Sequence, residues 1–490
     1  MSNLSELLPS GGGQNVVEFT ADGAISAGDA VALQTDGTVT GISSAANPAS
    51  VGSNQDFTGN NAYYNAVTSA GDNKVVVFYV DGNNSSYHYC AVGTVSGDTI
   101  TWSTPVVVES ATANTNVDVT YSPTDGVVIF AYATSSAGRV RKASLSGTTL
   151  TFGTAANFTS SRSADDIRIA MATSENYATI IYRRSASGGY GYYRTQECGN
   201  GTTISQYFET AFKSANVTAL GIAKSSALGD IAIVYKLVSD ASGKVIAAAL
   251  PALYSTAYSF SSEVQFFSVI QDCDISKTFN ETLDRNIIYS NQSSAHKAYV
   301  LSTNGSSTPT VNGPYTVGSS ANSFAMSVSI NTDDSSVLFG YSDSSNSNYA
   351  TFQFATMTTT AISLSGSTLA TSYALVNTTG GADLVANEGG SANFVFVAKD
   401  NTATDGVANV VTPASSNVSD FIGLASAAIS DTASGDINVK GGINEAQSGL
   451  TIGSDYYVQS DGTISTTSTS PAVKIGQAIT ATTINMMDLT

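Results

Sequence analysis

The chain has 490 residues, 42 % hydrophobic and 12 % charged, with 19 basic against 38 acidic side chains and a net charge of −19. Such a balance provides a core but few phosphate-binding cations, which excludes nucleic acid as a general partner. No run of 18 apolar residues is present, and no basic segment with an apolar core stands at the start, so neither membrane insertion nor an ordinary export signal is expected.

In chain order, residues 1–13 read as an N-terminal arm. Leu4, Leu7 and Leu8 precede the flexible tether Gly11-Gly12-Gly13. Residues 14–44 hold short strands around an Asp36-Gly37 hairpin turn. This piece recurs far away. Gly28-Asp29-Ala30-Val31-Ala32-Leu33-Gln34-Thr35-Asp36-Gly37-Thr38-Val39 matches Gly453-Ser454-Asp455-Tyr456-Tyr457-Val458-Gln459-Ser460-Asp461-Gly462-Thr463-Ile464 at an offset of 425. The two ends, 14–44 and 419–490, therefore read as related halves of one small β-barrel or sandwich, a docking domain into which everything between is inserted.

Residues 45–418 carry seven copies of a short apolar run. Six end in tyrosine, at Tyr79, Tyr132, Tyr182, Tyr235, Tyr289 and Tyr341, and Phe394-Val395-Phe396-Val397-Ala398 is the seventh. Spacings of 50–57 residues point to a propeller or solenoid. The runs are β-branched and apolar without alternation, so both faces are expected to be buried, as in a propeller blade. Around the second run lie a first strand (Val117 to Tyr121), a third (Arg139 to Leu145) and a fourth (Thr149 to Phe158). Four strands in seven repeats predict an all-β chain: a seven-bladed β-propeller inserted into the small end domain. The seventh repeat stops after Gly406 to Val411, and Pro48 to Ser53 is expected to supply its missing strand, so that no sheet edge is left open.

Few residues offer chemistry. Cys90, Cys198 and Cys273 show no paired spacing, and His88 and His296 stand alone, so no disulfide framework, metal site, cofactor or Ser-His-Asp triad is expected. The paired carboxylates Asp165-Asp166, Asp272 with Asp274, and Asp333-Asp334 could serve glycoside hydrolysis, but such pairs on hairpin loops are usually turn formers. No catalytic residue is assigned.

The turn Ser96-Gly97-Asp98-Thr99-Ile100-Thr101-Trp102 resembles the Asp-box of sialidase-type propellers, echoed by Ser146 to Phe152. That motif is structural in its family. The resemblance would also imply an arginine triad drawn from spaced blades, whereas seven of the eight arginines fall between Arg139 and Arg194. A second resemblance lies in the flanks. Leu7-Leu8-Pro9-Ser10-Gly11-Gly12-Gly13-Gln14-Asn15, Gly28 to Leu33, Gly449 to Val458 and Ile475 to Ile479 are similar to virion structural and tail-fibre proteins of marine tailed phages. The likeness implies a non-enzymatic virion protein, assembled in the host cytoplasm. Its partners would be other tail or capsid proteins, with a host-surface glycan as a possible ligand and a homo-oligomer on the particle. A propeller glycan hydrolase or depolymerase is the alternative.

One basic stretch interrupts the acidic chain. Arg139, Arg141, Lys142, Arg162, Arg168, Arg183, Arg184 and Arg194 face only Asp165, Asp166 and Glu175. Arg139 and Arg141 share a strand face. Tyr190, Tyr192 and Tyr193 lie in a Gly-rich third strand alongside. Guanidinium forks with tyrosine rings suit an anionic saccharide or an acidic subunit. The expected binding surface is thus Arg139, Arg141, Arg168, Arg183, Arg184, Tyr190, Tyr192, Tyr193 and Arg194.

Overall fold

The computed structural model describes residues 15–486, except 114–116, 160–163, 172–176, 198–200, 226–228, 250–256, 293–294, 304–307, 319–325, 333, 376–380, 388–392, 404 and 470. The arm at 1–13, Arg162, Glu175, Cys198 and Asp333 lie outside the described residues. Almost every described element is a strand, and the helical ones are three-residue 3-10 turns such as Ser185–Ser187. The chain divides into two compact units, Met1–Ser50 with Pro413–Thr490, and Val51–Thr412.

In the second unit each apolar run forms the second strand of an antiparallel sheet. Lys74–Asp81, Val127–Ala133 and Tyr177–Arg184 are examples. Their lack of alternation has a direct cause. Val76, Phe78 and Val80 pack into one cluster with Val128, Phe130 and Tyr132 of the next sheet. Val75, Val77 and Tyr79 pack the other way, against Val395 and Val397. Sheet faces meet through ring pairs, Phe78 with Phe130 and Tyr289 with Phe339, both at 5.0 Å. Each fully buried side chain of this size contributes about 1.5–3 kcal/mol, so the stacked faces hold the unit together.

The first strands of successive sheets touch in order: Gln55–Ser69, Asp118–Ser122, Ala164–Met171, Ser205–Ser225, Asp272–Ile275, Met326–Ile330 and Asp383–Ala386. The last of them returns to the first. Two of these strands are long because each serves two sheets. Ser205–Ser225 pairs with Tyr190–Glu197 through its first part and with Asp230–Leu237 through its second. Gln55–Ser69 likewise pairs with Asp405–Thr412 through residues 55–61 and with Lys74–Asp81 through residues 62–69.

The last sheet is completed in two pieces: Ser50–Val51, within the expected Pro48 to Ser53, pairs with Asp405–Thr412, and Gln55 to Asn61 pairs with the same strand. Gly59-Asn60-Asn61 reads as a turn in sequence, but two register shifts opposite Asp405–Val407 absorb it and let the strand continue. Beside Ser50–Val51, the Gly52 N–H donates to the Val410 carbonyl at 2.8 Å. Asn409, 1 % exposed, fixes the junction. Its Nδ2 donates to Gly52 O and Asn54 Oδ1, each at 3.0 Å, and its Oδ1 accepts from the Tyr373 hydroxyl at 2.8 Å.

The first unit contains two five-stranded sheets with one topology. One runs in the order Val16–Thr20, Ser434–Val439, Phe421–Ala425, Ala30–Leu33, Val39–Gly41. The other runs Ile443–Asn444, Ile484–Asn485, Val473–Ala478, Asp455–Val458, Ile464–Ser465. The registers agree residue by residue. Val31 lies opposite Gly423 and Ala32 opposite Phe421, across a bulge; Tyr456 lies opposite Gly476 and Tyr457 opposite Lys474, across the same bulge. The turns agree as well, Asp36 Oδ1 accepting from Thr38 and Asp461 Oδ1 from Thr463. Gly37 and Gly462 take φ of 88° and 84°, the left-handed conformation the turn needs. Both sheets are complete, and they share a core of Ala30, Ala32, Leu424, Tyr456, Val458 and Ile475.

Replacing Asn409 by Ala leaves the buried Tyr373 hydroxyl and two loop acceptors without their partner, each worth about 1 kcal/mol. The expected outcome is an unfolding free energy lower by about 1–3 kcal/mol, seen as a lower urea midpoint and read by tryptophan fluorescence. Trp102 packs on Phe57 of the closing strand at 5.8 Å, which makes it a local reporter.

Candidate functional site

The basic stretch divides into separate places. Arg139 forms an ion pair with Glu109, which also accepts from the Tyr132 hydroxyl at 3.2 Å. Arg141 donates from Nε to the Gly153 carbonyl at 2.8 Å and from Nη1 to the Val108 carbonyl, and its guanidinium lies 4.8 Å over the Phe152 ring. These two arginines line a cleft of about 680 Å³ with Glu109, Phe152, Thr202 and Thr203. Arg183 pairs with Asp165 at 3.2 Å. Arg184 and Arg194 share Glu209, and Arg184 also covers the Tyr192 ring at 5.1 Å. Tyr190 is half-buried. Tyr193 is 1 % exposed, and its hydroxyl accepts from Tyr258 N, so its ring belongs to the core and not to a presented surface. Arg168 lies elsewhere, on an inner strand. The continuous arginine surface read from sequence is thus corrected to one cleft and a set of paired charges, because Glu109 and Glu209 arrive from strands outside the stretch.

Arg168 lines a second cavity, of about 480 Å³, enclosed by the inner strands. It shares that cavity with Asp118, Asp166, Asp272, Asp274, Lys277 and Asp383. Several of these acids first serve the fold. Asp118 Oδ2 accepts from Ile169 N at 2.8 Å, Asp166 Oδ2 from Ala219 N at 3.0 Å, and Asp383 Oδ2 from Val67 N at 2.9 Å. Each of these carboxylates satisfies a backbone donor on the neighbouring inner strand. Lys277 bridges Asp118 and Asp383 at 2.6 and 3.0 Å. Burial disfavours its charge, but the two carboxylates outweigh that and raise its pKa.

Asp272 and Asp274 are two residues apart on one strand and so project on the same side. Burial pushes Asp272 up to about 7, helped by repulsion from Asp166 and opposed by Arg168. Burial also pushes Asp274 up to about 6, with Arg168 opposing and Asp383 adding. His88 and His296, both 0 % exposed, are held neutral by burial, at about 3 and about 4. Each lies at a junction between sheets, 4.6 Å from Tyr132 and 4.8 Å from Tyr341 respectively. Cys90 and Cys273 are buried free thiols. Among the described residues no group of His, Cys, Asp and Glu has the arrangement to hold a metal.

Sequence reasoning found Arg139, Arg141, Asp272 and Asp274 but missed Glu109, Asp118, Lys277 and Asp383. A signal for the acids was present. Val117-Asp118-Val119, Cys273-Asp274-Ile275 and Ala382-Asp383-Leu384 all set an aspartate between small or apolar residues on a first strand.

The shifts have opposite signs. Asp272 and Asp274 have folded pKa values above the unfolded value near 4. Their stabilising contribution is complete at low pH and is lost as pH rises through 6 and 7. The histidines have folded values below 6.5, so theirs is present above 6.5 and lost as pH falls toward 4. The variant Asp272→Asn is therefore expected to melt higher than the parent at pH 8 and to match it at pH 4. Calorimetric Tm at the two pH values reads this directly.

No family model and no curated protein matches the chain. Among solved structures it is similar to the BP39L lectin from Burkholderia pseudomallei, at 11 % identity and a TM-score of 0.53, over 73 % of this chain and 98 % of that one. It is also similar to the WD40 domain of Toxoplasma gondii coronin, at 8 % identity and a TM-score of 0.46, over 82 % and 87 %. A third similarity is to hydrazine synthase of Kuenenia stuttgartiensis, at 8 % and 0.47, over 73 % and 97 %. At these identities the likeness speaks for the fold alone, which is all-β and propeller-like.

Proposed function

We propose that this chain is a non-enzymatic recognition protein of a phage particle, with a seven-bladed propeller carried on a small β domain. Seven inner strands that touch in cyclic order support the blade count. The matched sheets of the first unit support an insertion. In the sheet built from both chain ends, Val39–Gly41 and Phe421–Ala425 are joined through the whole second unit. In its counterpart, Ile464–Ser465 and Val473–Ala478 are joined by residues 466–472 alone. The propeller would thus occupy one short connection of a duplicated module. The virion role rests on the flanking-sequence resemblance, with the duplicated module as the docking part.

The observation that carries recognition is the cleft of Glu109, Arg139, Arg141 and Phe152. A carboxylate beside a guanidinium offers paired acceptor and donor groups for neighbouring hydroxyls, and Thr202 and Thr203 extend the polar wall. Because Glu109 already neutralises Arg139, the fit is to a hydroxyl-rich saccharide of low charge. A lectin among the similar folds agrees with this reading.

Arg139→Ser and Glu109→Gln, tested singly on a glycan array and in host adsorption, are each expected to weaken saccharide binding at least tenfold with Tm little changed. Unaltered binding by both would reject the cleft. The insertion makes its own prediction. A chain in which residues 43–416 are replaced by residues 466–472 is expected to fold as a soluble β protein with a cooperative melt, and an unfolded product would reject the duplicated module.

One observation favours a second reading, glycan hydrolysis. Asp166, Asp272 and Asp274 converge with Arg168 on the inner cavity, and a carboxyl held near pH 7 suits a general acid. Release of reducing ends from host polysaccharide, lost in Asp272→Asn, would establish it.

A further inference from the structure

The inner cavity is distinct from the cleft and contains a charge imbalance. Its described lining has five carboxylates, Asp118, Asp166, Asp272, Asp274 and Asp383, and two cations, Arg168 and Lys277. Five minus two leaves an excess of three negative charges when all are ionised. Asp118 and Asp383 share the single ammonium of Lys277. Asp166 has one oxygen committed to Ala219 N. Asp272 accepts from the N–H of Cys273, next to it on its own strand, and among the described residues neither Asp272 nor Asp274 forms an ion pair. Carboxylates enclosed by low-dielectric walls focus a negative potential on the space between them.

The cavity also shows, in its own residues, what such a space accepts. The Lys277 ammonium sits between two carboxylate oxygens at 2.6 and 3.0 Å. Asp272 and Asp274, side by side on one strand, repeat the carboxylate half of that arrangement. A metal ion fits less well, since no described group has ligating geometry. Tyr64, Asn65 and Ser327 add neutral polar atoms to the wall, and about 480 Å³ leaves room for a small aliphatic chain.

We propose that this cavity binds a small organic cation bearing primary ammonium groups, held by Asp272 and Asp274 with Asp166 beside them. The ligand completes the charge balance that Lys277 and Arg168 leave unfinished. Ammonium binding favours the ionised carboxylates, so binding and protonation compete at this site. The groups facing Asp272 and Asp274 are Asp166, Arg168, Asp118, Lys277 and Asp383, together with the Cys273 thiol, whose pKa burial raises. Of these, Asp272 and Asp274 themselves titrate in the neutral range.

Spermidine is a suitable probe, titrated calorimetrically into the full chain at low salt. The expected result is saturable binding at pH 7.5, about tenfold weaker at pH 5.5, with proton release near pH 6.5 seen by comparing buffers of different ionisation heat. Asp272→Asn and Asp274→Asn are each expected to weaken binding about tenfold, whereas Asp436→Asn, in the other unit, leaves it unchanged. A spermidine-induced rise in Tm that disappears in the double variant is the second readout. Absence of saturable heat, equal loss in Asp436→Asn, or binding that survives the double variant would overturn the proposal by marking attraction to the acidic surface only. Tighter binding of calcium than of spermidine, abolished by the same two variants, would overturn it in favour of a metal site.

Discussion

The second unit depends on satisfying the inner edge of each sheet. A strand at a sheet edge presents backbone donors with no ladder partner, and burying them bare costs about 1–3 kcal/mol apiece. Here a side chain from one inner strand reaches a backbone N–H on the next. Asp118 serves Ile169, Asp166 serves Ala219, Ser276 serves Ile330, Ser329 serves Ala386 and Asp383 serves Val67. These short polar links stand where continuous sheet hydrogen bonding would close a barrel. They leave a channel between the strands instead.

The same links explain the electrostatics. Three of the five are carboxylates, so a structural need for acceptors gathers negative charge around the channel. Lys277, tied to Asp118 and Asp383, cancels part of it, and Arg168 another part. Burial above all, with repulsion from neighbouring carboxylates added, pushes the carboxyls of Asp272 and Asp274 toward neutrality. Fold and site therefore share residues.

At the periphery the arginines work differently. Arg139 and Glu109, Arg184 and Arg194 with Glu209, and Lys213 with Glu263 form ion pairs, and in each case a buried tyrosine hydroxyl, Tyr132, Tyr182 or Tyr235, donates to the carboxylate. Half-buried pairs of this kind fix geometry more than they add stability. The cleft is where one such pair opens onto space.

The sequence by itself determined the strands and their repetition. A short β-branched apolar run bounded by turn residues and repeated at intervals of 50–57 residues reads as a strand covered on both faces, which tolerates apolar residues at consecutive positions. The 425-residue match located the flanking hairpins. It did not show two complete sheets, since the second half of the match, Ile422-Gly423-Leu424-Ala425 with Ile475-Gly476-Gln477-Ala478, runs at a different offset, 53. Only the tertiary structure decided which charges meet. Glu109 is 30 residues from Arg139, and Lys277 is 159 from Asp118 and 106 from Asp383. Charge counts along a chain carry no such information. A strand exposes its side chains to whatever sheet packs beside it, and that neighbour is set by the cyclic order of sheets, not by local sequence. Tyr193 and Arg168 show the consequence: both looked like surface residues within the basic stretch, and packing sent one to the core and the other to the channel.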